Sequence, residues 1–85
     1  MSKEIIKRIE RLLEAVESGI TEENIKDVTE LLEHNEMGEA LSLICTQVYE
    51  YDVSISSETY QEIESLGQQM EMNASEWQML KELVE

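Results

Sequence analysis

Residues 55–60 read Ile-Ser-Ser-Glu-Thr-Tyr, and the same arrangement of residue types occurs at 20–25 (Ile-Thr-Glu-Glu-Asn-Ile) and at 72–77 (Met-Asn-Ala-Ser-Glu-Trp). Each stretch has an apolar residue, then a residue that caps helices, then another apolar residue four positions after the cap. This is the spacing of a hydrophobic staple, in which the two apolar residues pack across the start of a helix. The three stretches therefore predict three helix starts, with Thr21, Ser56 and Asn73 as N-caps. Asn73 and Glu76 also have the spacing of a capping box.

Outward from these starts, apolar residues at helical spacing predict five helices. Their expected ranges are 2 to about 19, 21 to about 34, about 36 to 51, about 57 to 70, and about 74 to 84. Asn35 is expected to end the second helix in the left-handed conformation. Short helices with short connections predict an all-α fold, a compact antiparallel bundle of about five helices that forms one domain over residues 1–85.

The third predicted helix is apolar around most of its circumference, which is typical of a helix at the centre of a bundle. Its expected buried stripe contains Met37, Leu41, Ile44, Val48 and Tyr51, with Ala40 and Cys45 at the edges. Tyr49 lies off this stripe by helical spacing and is expected to be exposed. A single cysteine cannot form an internal disulfide, so Cys45 is interpreted as a reduced core residue.

The composition favours a helical, cytoplasmic protein. The 85 residues include no Pro and only three Gly, while 41% are hydrophobic, which argues against a disordered acidic tail. Charged residues interrupt the apolar residues at 1–14, so no signal peptide is expected there. No apolar run reaches the length needed to span a membrane, and a cytoplasmic location is therefore expected.

Charge is the strongest compositional signal. The formal net charge is −14, and residues 27–80 contain twelve acids without a single Lys or Arg. An acidic surface repels nucleic acid and anionic lipid, so we expect no direct nucleic-acid contact and no membrane contact, and any electrostatic partner should be basic. Self-repulsion on this scale weakens a fold, although it also keeps a protein soluble.

The sequence does not favour catalysis or a cofactor. The segment from Asp52 has oxygen-bearing residues at the spacing of a calcium loop, but Ser57 replaces the required Gly and Ile63 replaces the required Glu. One Cys and one His offer no zinc spacing. Cys45 lies on an apolar face and His34 at a helix end, so no nucleophile and base are paired. We therefore expect no enzyme activity, no catalytic residues, no metal and no cofactor.

A carrier role is a weaker alternative. Glu64-Ser65-Leu66 is superficially similar to the Asp-Ser-Leu motif at which acyl carrier proteins bear their prosthetic group. In those proteins the serine stands at the start of a helix. Here Ser65 is expected in the middle of the fourth helix, and Glu replaces Asp. An acyl-carrier-like modification at Ser65 would add a covalent mass to the chain.

The acids around two predicted turns form the candidate binding surface. They are Glu50, Asp52, Glu58 and Glu62 around the turn between the third and fourth helices, together with the exposed Tyr49, and Glu36 and Glu39 at the preceding turn. Tyrosine is enriched at protein interfaces, and clustered acids steer a basic partner. The simplest alternative for any single acid is a solvated surface, but for the cluster we favour partner binding.

Residues 36–72, EMGEALSLICTQVYEYDVSISSETYQEIESLGQQMEM, carry a family resemblance. A Gly-Glu-Ala-Leu helix start, a Tyr-Glu-Tyr-Asp helix end and an Ile-Ser connector resemble the MafI-like immunity proteins of bacterial toxin–immunity systems, including those of contact-dependent growth inhibition. The resemblance implies a cytoplasmic inhibitor that forms a heterodimer with one cognate toxin domain, often a nuclease. Such toxins are commonly basic because their substrates are polyanions. It supplies no contact residues, so the site rests on charge and helical spacing.

Two other readings of the acidic surface stay open. The chain could mimic nucleic acid and block a DNA-binding protein, or it could be a small acidic regulatory subunit of a basic partner. The identity of the neighbouring gene separates the toxin inhibitor from the nucleic-acid mimic, since an immunity gene is expected to follow a large toxin gene.

Overall fold

The computed structural model describes residues 2–85, and it confirms the predicted all-α class. Four α-helices follow one another: α1 (Ser2–Val16), α2 (Glu22–Glu33), α3 (Met37–Glu50) and α4 (Ser57–Gln69). A 3₁₀ turn, Glu17–Gly19, follows α1, and two 3₁₀ segments, Ala74–Glu76 and Gln78–Leu83, follow α4. Within residues 2–85, no helix combines the length and the apolar character that crossing a membrane requires.

All three predicted N-caps are confirmed. The Thr21 side chain accepts a hydrogen bond from the backbone N–H of Asn24 at 3.0 Å, and Asn24 Oδ1 accepts one from the backbone N–H of Thr21 at 3.4 Å, which completes a capping box. The two other caps accept from backbone N–H groups in the same way: Ser56 from Thr59 at 3.0 Å and Asn73 from Ser75 at 2.9 Å. These side chains satisfy backbone donors that a helix start leaves without partners, and so they fix where the helices begin.

Helices α2, α3 and α4 end with the same motif. Asn35, Asp52 and Glu71 each follow the helix cap with a positive φ, of 59°, 51° and 58° respectively. In each case the next N–H bonds the carbonyl five residues back: Glu36 to Leu31 at 2.8 Å, Val53 to Val48 at 3.0 Å, and Met72 to Gly67 at 2.8 Å. This is the Schellman motif. The sequence predicts it only at Asn35, because Asp and especially Glu adopt the left-handed conformation less readily.

Replacing Glu71 by glycine is expected to raise the free energy of unfolding by about 1 kcal/mol, because glycine adopts a positive φ without steric cost. Urea denaturation followed by circular dichroism measures the change. Glu30→Gly is the control, since it removes the same charge inside α2 and should destabilise the protein. A loss of stability in Glu71→Gly comparable to that of the control would contradict the left-handed assignment.

The predicted fifth α-helix is instead 3₁₀ structure, interrupted at Trp77. A 3₁₀ helix places residues three apart on the same side, so the buried Trp77 and Leu80 and the half-buried Leu83 line up toward the core. The chain then extends, and Val84 forms a parallel bridge with Ile55. The predicted Asn73–Glu76 capping box is wrong, because the Glu76 carboxylate accepts a hydrogen bond from Ser42 on α3.

Helix α3 is central, as predicted. It packs against α1, α2, α4 and both 3₁₀ segments that follow α4. Five of its residues are buried: Ala40, Leu41, Ile44, Cys45 and Val48. Because α3 packs against all of these elements, one exposed stripe along it is left for solvent, and that stripe carries three of the predicted site residues, Glu36, Glu39 and Glu50.

Candidate partner-binding surface

The exposed stripe of α3, which we name the α3 face, consists of Glu36, Glu39, Leu43, Thr46 and Glu50. Successive members of this set are three or four positions apart in the sequence, so they share one side of the helix. All are exposed except Leu43, which is half-buried. Glu39 and Glu50 lie eleven residues apart, which is three helical turns and about 16 Å along the axis. The structure therefore brings Glu36 and Glu39 of one predicted acidic turn and Glu50 of the other onto one surface.

Two tyrosines stand at the far end of the α3 face. Tyr49 is 45% exposed, as predicted, and Tyr51 is 48% exposed. The prediction that Tyr51 is buried is wrong, because α3 ends at Glu50 and Tyr51, its C-cap, stands at the open end of the helix. Among the described residues, these two tyrosines are the large apolar side chains most open to solvent. We name them, with Asp52, the tyrosine patch.

Asp52 has a structural role that the sequence reasoning missed. Its φ of 51° places it at the left-handed position that ends α3. Aspartate tolerates this conformation better than most residues do, since its short side chain bonds locally. The carboxylate is nevertheless exposed beside the tyrosines. The end of α3 therefore accounts for the left-handed backbone conformation of Asp52, while its carboxylate stays available to a partner.

Glu58 and Glu62 do not belong to the α3 face. They line a groove between α1 and α4 together with Arg8 and Arg11. Arg8 Nε donates to Glu62 Oε2 at 2.8 Å, and Arg8 Nη2 donates to Glu62 Oε1 at 3.0 Å. No Lys or Arg lies near these acids in the sequence. In the structure, however, the packing of α1 on α4 brings Arg8, which is 54 residues from Glu62 along the chain, into contact with it.

Arg8 joins α1 to α4 through more than one side chain. Besides Glu62 it donates to Gln69 Oε1 at 2.8 Å and to Ser65 Oγ at 3.1 Å. The hydrogen bond from Arg8 lowers the pKa of Glu62, with smaller contributions from the positive charges of Arg8 and Arg11. Partial burial opposes this lowering. Ser65 lies within α4, as predicted, and its hydroxyl is part of this network.

Arg8→Met is expected to lower the free energy of unfolding by about 1 kcal/mol at pH 7, a modest value because the ion pair is partly exposed. Since the pKa of Glu62 is lowered by folding, the stabilisation is present above the ordinary carboxyl pKa and is lost as the pH falls through the lowered value. Urea denaturation from pH 7 to pH 3 should show the difference between the two proteins shrinking. Lys7→Met, at an exposed position, is the control, and a difference that does not shrink as the pH falls would contradict this account.

At the other end of the α3 face, Glu36 and Glu39 interact directly. The pKa of Glu39 is raised, first because the two carboxyls can share a hydrogen bond and then because the Glu36 charge repels a second negative charge. A cation placed between the two carboxylates would relieve this repulsion. This end of the α3 face is therefore suited to a positive ligand.

The reactive side chains are placed where sequence reasoning expects them. Cys45 is buried, and burial, with a smaller contribution from Glu76, raises the pKa of its thiol to about 12, so it is not a thiolate at neutral pH. The His34 ring lies at the end of α2, with Nδ1 2.8 Å from the Glu30 carbonyl. Residues 2–85 contain no group of three or more His, Cys, Asp or Glu side chains arranged to hold a metal ion.

No protein-family model, curated protein or solved structure matches this chain. The candidate surface is thus defined by the geometry and charge of the chain itself: an α3 face with aligned carboxylates, ending in two exposed tyrosines.

Proposed function

We propose that this chain is an immunity-type inhibitor that binds a basic toxin domain through the α3 face and the tyrosine patch. The observation that supports this most is the alignment of Glu36, Glu39 and Glu50 on one exposed helix face, within a 54-residue stretch that lacks Lys and Arg. The resemblance of residues 36–72 to MafI-like immunity proteins supports the choice of a toxin as the partner.

The two parts of the surface would contribute differently to binding. The carboxylates act at long range, raising the rate at which a basic partner arrives in the correct orientation. The exposed rings of Tyr49 and Tyr51 act at short range, because tyrosine buries a large apolar area at low entropic cost and keeps a hydroxyl for hydrogen bonding. An acidic surface with aromatic side chains at one end therefore suits a stable heterodimer.

A basic nuclease is the toxin class that this surface fits best. A nuclease concentrates Lys and Arg around the groove that holds the phosphate backbone. Carboxylates bind the same side chains through charge-assisted hydrogen bonds, so an acidic helix face can occupy or border that groove. On this proposal the inhibitor acts in the cytoplasm, where the substrate of the nuclease lies.

Co-expression with the protein encoded immediately upstream tests the proposal. We expect the upstream protein to be toxic when expressed alone, to be tolerated when this chain is present, and to co-purify with it at a ratio of about 1:1. A variant with both exposed tyrosines changed to serine, Tyr49→Ser with Tyr51→Ser, should protect less while remaining folded. An upstream protein that is neither toxic nor bound would contradict the proposal, and capture of a DNA-binding host protein instead would favour the nucleic-acid mimic.

A further inference from the structure

An open groove of about 340 Å³ lies beside the α3 face, between the first turns of α3 and the residues that follow α4. It is lined by Gly38, Glu39, Ser42, Met72, Asn73 and Glu76. Glu39 belongs to both the groove and the α3 face. The groove is therefore part of the surface that the partner is proposed to contact, and it is a shallow, open depression beside the helix.

The floor of the groove is apolar. Gly38 contributes no side chain, and a Cβ built at this position would meet only the Met72 sulfur, at 3.9 Å. Met72 is half-buried and lies where the Schellman motif ends α4. A thioether on a flexible side chain is polarisable and packs well against alkyl groups of irregular shape. The floor therefore accepts the stem of a long side chain.

The rim of the groove is anionic. The Ser42 hydroxyl donates to Glu76 Oε1 at 2.6 Å, which holds this carboxylate in place and leaves Oε2 to accept from a ligand. Glu39 lies on the α3 side of the groove, next to the Glu36 carboxyl that raises its pKa. The two rim carboxylates come from different segments of the chain, so together they favour a cation placed at the mouth of the groove.

We propose that this groove is the anchor site of the interface and accepts one arginine side chain of the basic partner, with its alkyl stem on Met72 and its guanidinium at Glu39 and Glu76. Arginine fits better than lysine, because a planar guanidinium has five donors and can bond two carboxylates at once, whereas an ammonium is compact and strongly hydrated. The assignment rests on the proposed function for the source of the arginine, but the groove chemistry can be measured without the partner.

The test is an NMR titration of the isolated protein with N-acetyl-arginine amide at constant ionic strength. We expect saturable shifts at the Gly38 and Glu39 amides and at the Met72 methyl group, with a dissociation constant on the order of 1–10 mM, as suits a single side chain. N-acetyl-lysine amide should bind several-fold more weakly. N-acetyl-norleucine amide, which has the apolar stem without the charge, should give no saturable shift.

Variants separate groove binding from general attraction to an acidic protein. Gly38→Leu fills the groove without changing the charge and should abolish the shifts. Glu39→Gln should weaken binding several-fold, whereas Glu33→Gln, which makes the same charge change on an exposed residue of α2, should not. Equal shifts at acids all over the surface, or binding unchanged in Gly38→Leu, would overturn the assignment. If the α3 face captures a toxin but the groove does not bind arginine, this inference alone is overturned. If the groove binds arginine but no toxin partner exists, only the proposed function is overturned.

Discussion

Gly67→Ala is expected to lower the free energy of unfolding by about 3 kcal/mol, a large share of the stability of a chain of this size. A Cβ at this position would lie 2.6 Å from Trp77 Cε3 and 2.8 Å from Cη2, and it would also overlap Cζ3. The indole ring is 3% exposed and packed in the core, so it has little room to move away. Urea denaturation monitored by Trp77 fluorescence measures the loss.

The matched control is Gly38→Ala. Gly38 also lies within a helix, but an added Cβ would meet only Met72 at an ordinary contact distance. There the substitution should stabilise α3 by about 1 kcal/mol through helix propensity. The two variants make the same chemical change, but we expect opposite effects on the free energy of unfolding. Destabilisation of both by similar amounts would contradict the close packing of Trp77 on Gly67.

Local signals in the sequence predict the helix starts and most of the core. Thr21, Ser56 and Asn73 cap helices as expected, since capping depends on residues within three or four positions. The same locality explains the central position of α3, whose apolar circumference is visible in its sequence. Helix ends are harder to predict, because Asp52 and Glu71 adopt a left-handed conformation that neither residue type specifies.

Contacts between distant residues could not be predicted in the same way. The Arg8–Glu62 pair depends on how α1 and α4 pack, and nothing near Glu62 in sequence indicates a base. The packing of Trp77 on Gly67 likewise depends on the path of the chain after α4. For the candidate surface, Tyr49, Glu50, Asp52, Glu36 and Glu39 are exposed. Glu58 and Glu62 instead line the groove that contains Arg8 and Arg11, which nothing in their local sequence indicates.

Association with the proposed toxin partner is expected to slow by at least about tenfold when salt is raised from about 20 mM to about 500 mM, because screening shortens the reach of surface charges from about 20 Å to about 4 Å. The dissociation rate should change far less, since contacts of the tyrosine patch do not depend on long-range charge. Stopped-flow fluorescence measures both rates. An association rate that is independent of salt would exclude electrostatic steering.

The most direct test of the central claim compares two double variants with the same change of net charge on different faces. Glu39→Lys with Glu50→Lys reverses the α3 face, whereas Glu10→Lys with Glu14→Lys reverses two exposed acids of α1. The measurement is the dissociation constant for the proposed toxin partner, with circular dichroism confirming that both variants fold. We expect the α3 variant to bind at least about 100-fold more weakly and the α1 variant to stay within about threefold of the unmodified chain. Equal weakening by the two variants would contradict the assignment of binding to the α3 face.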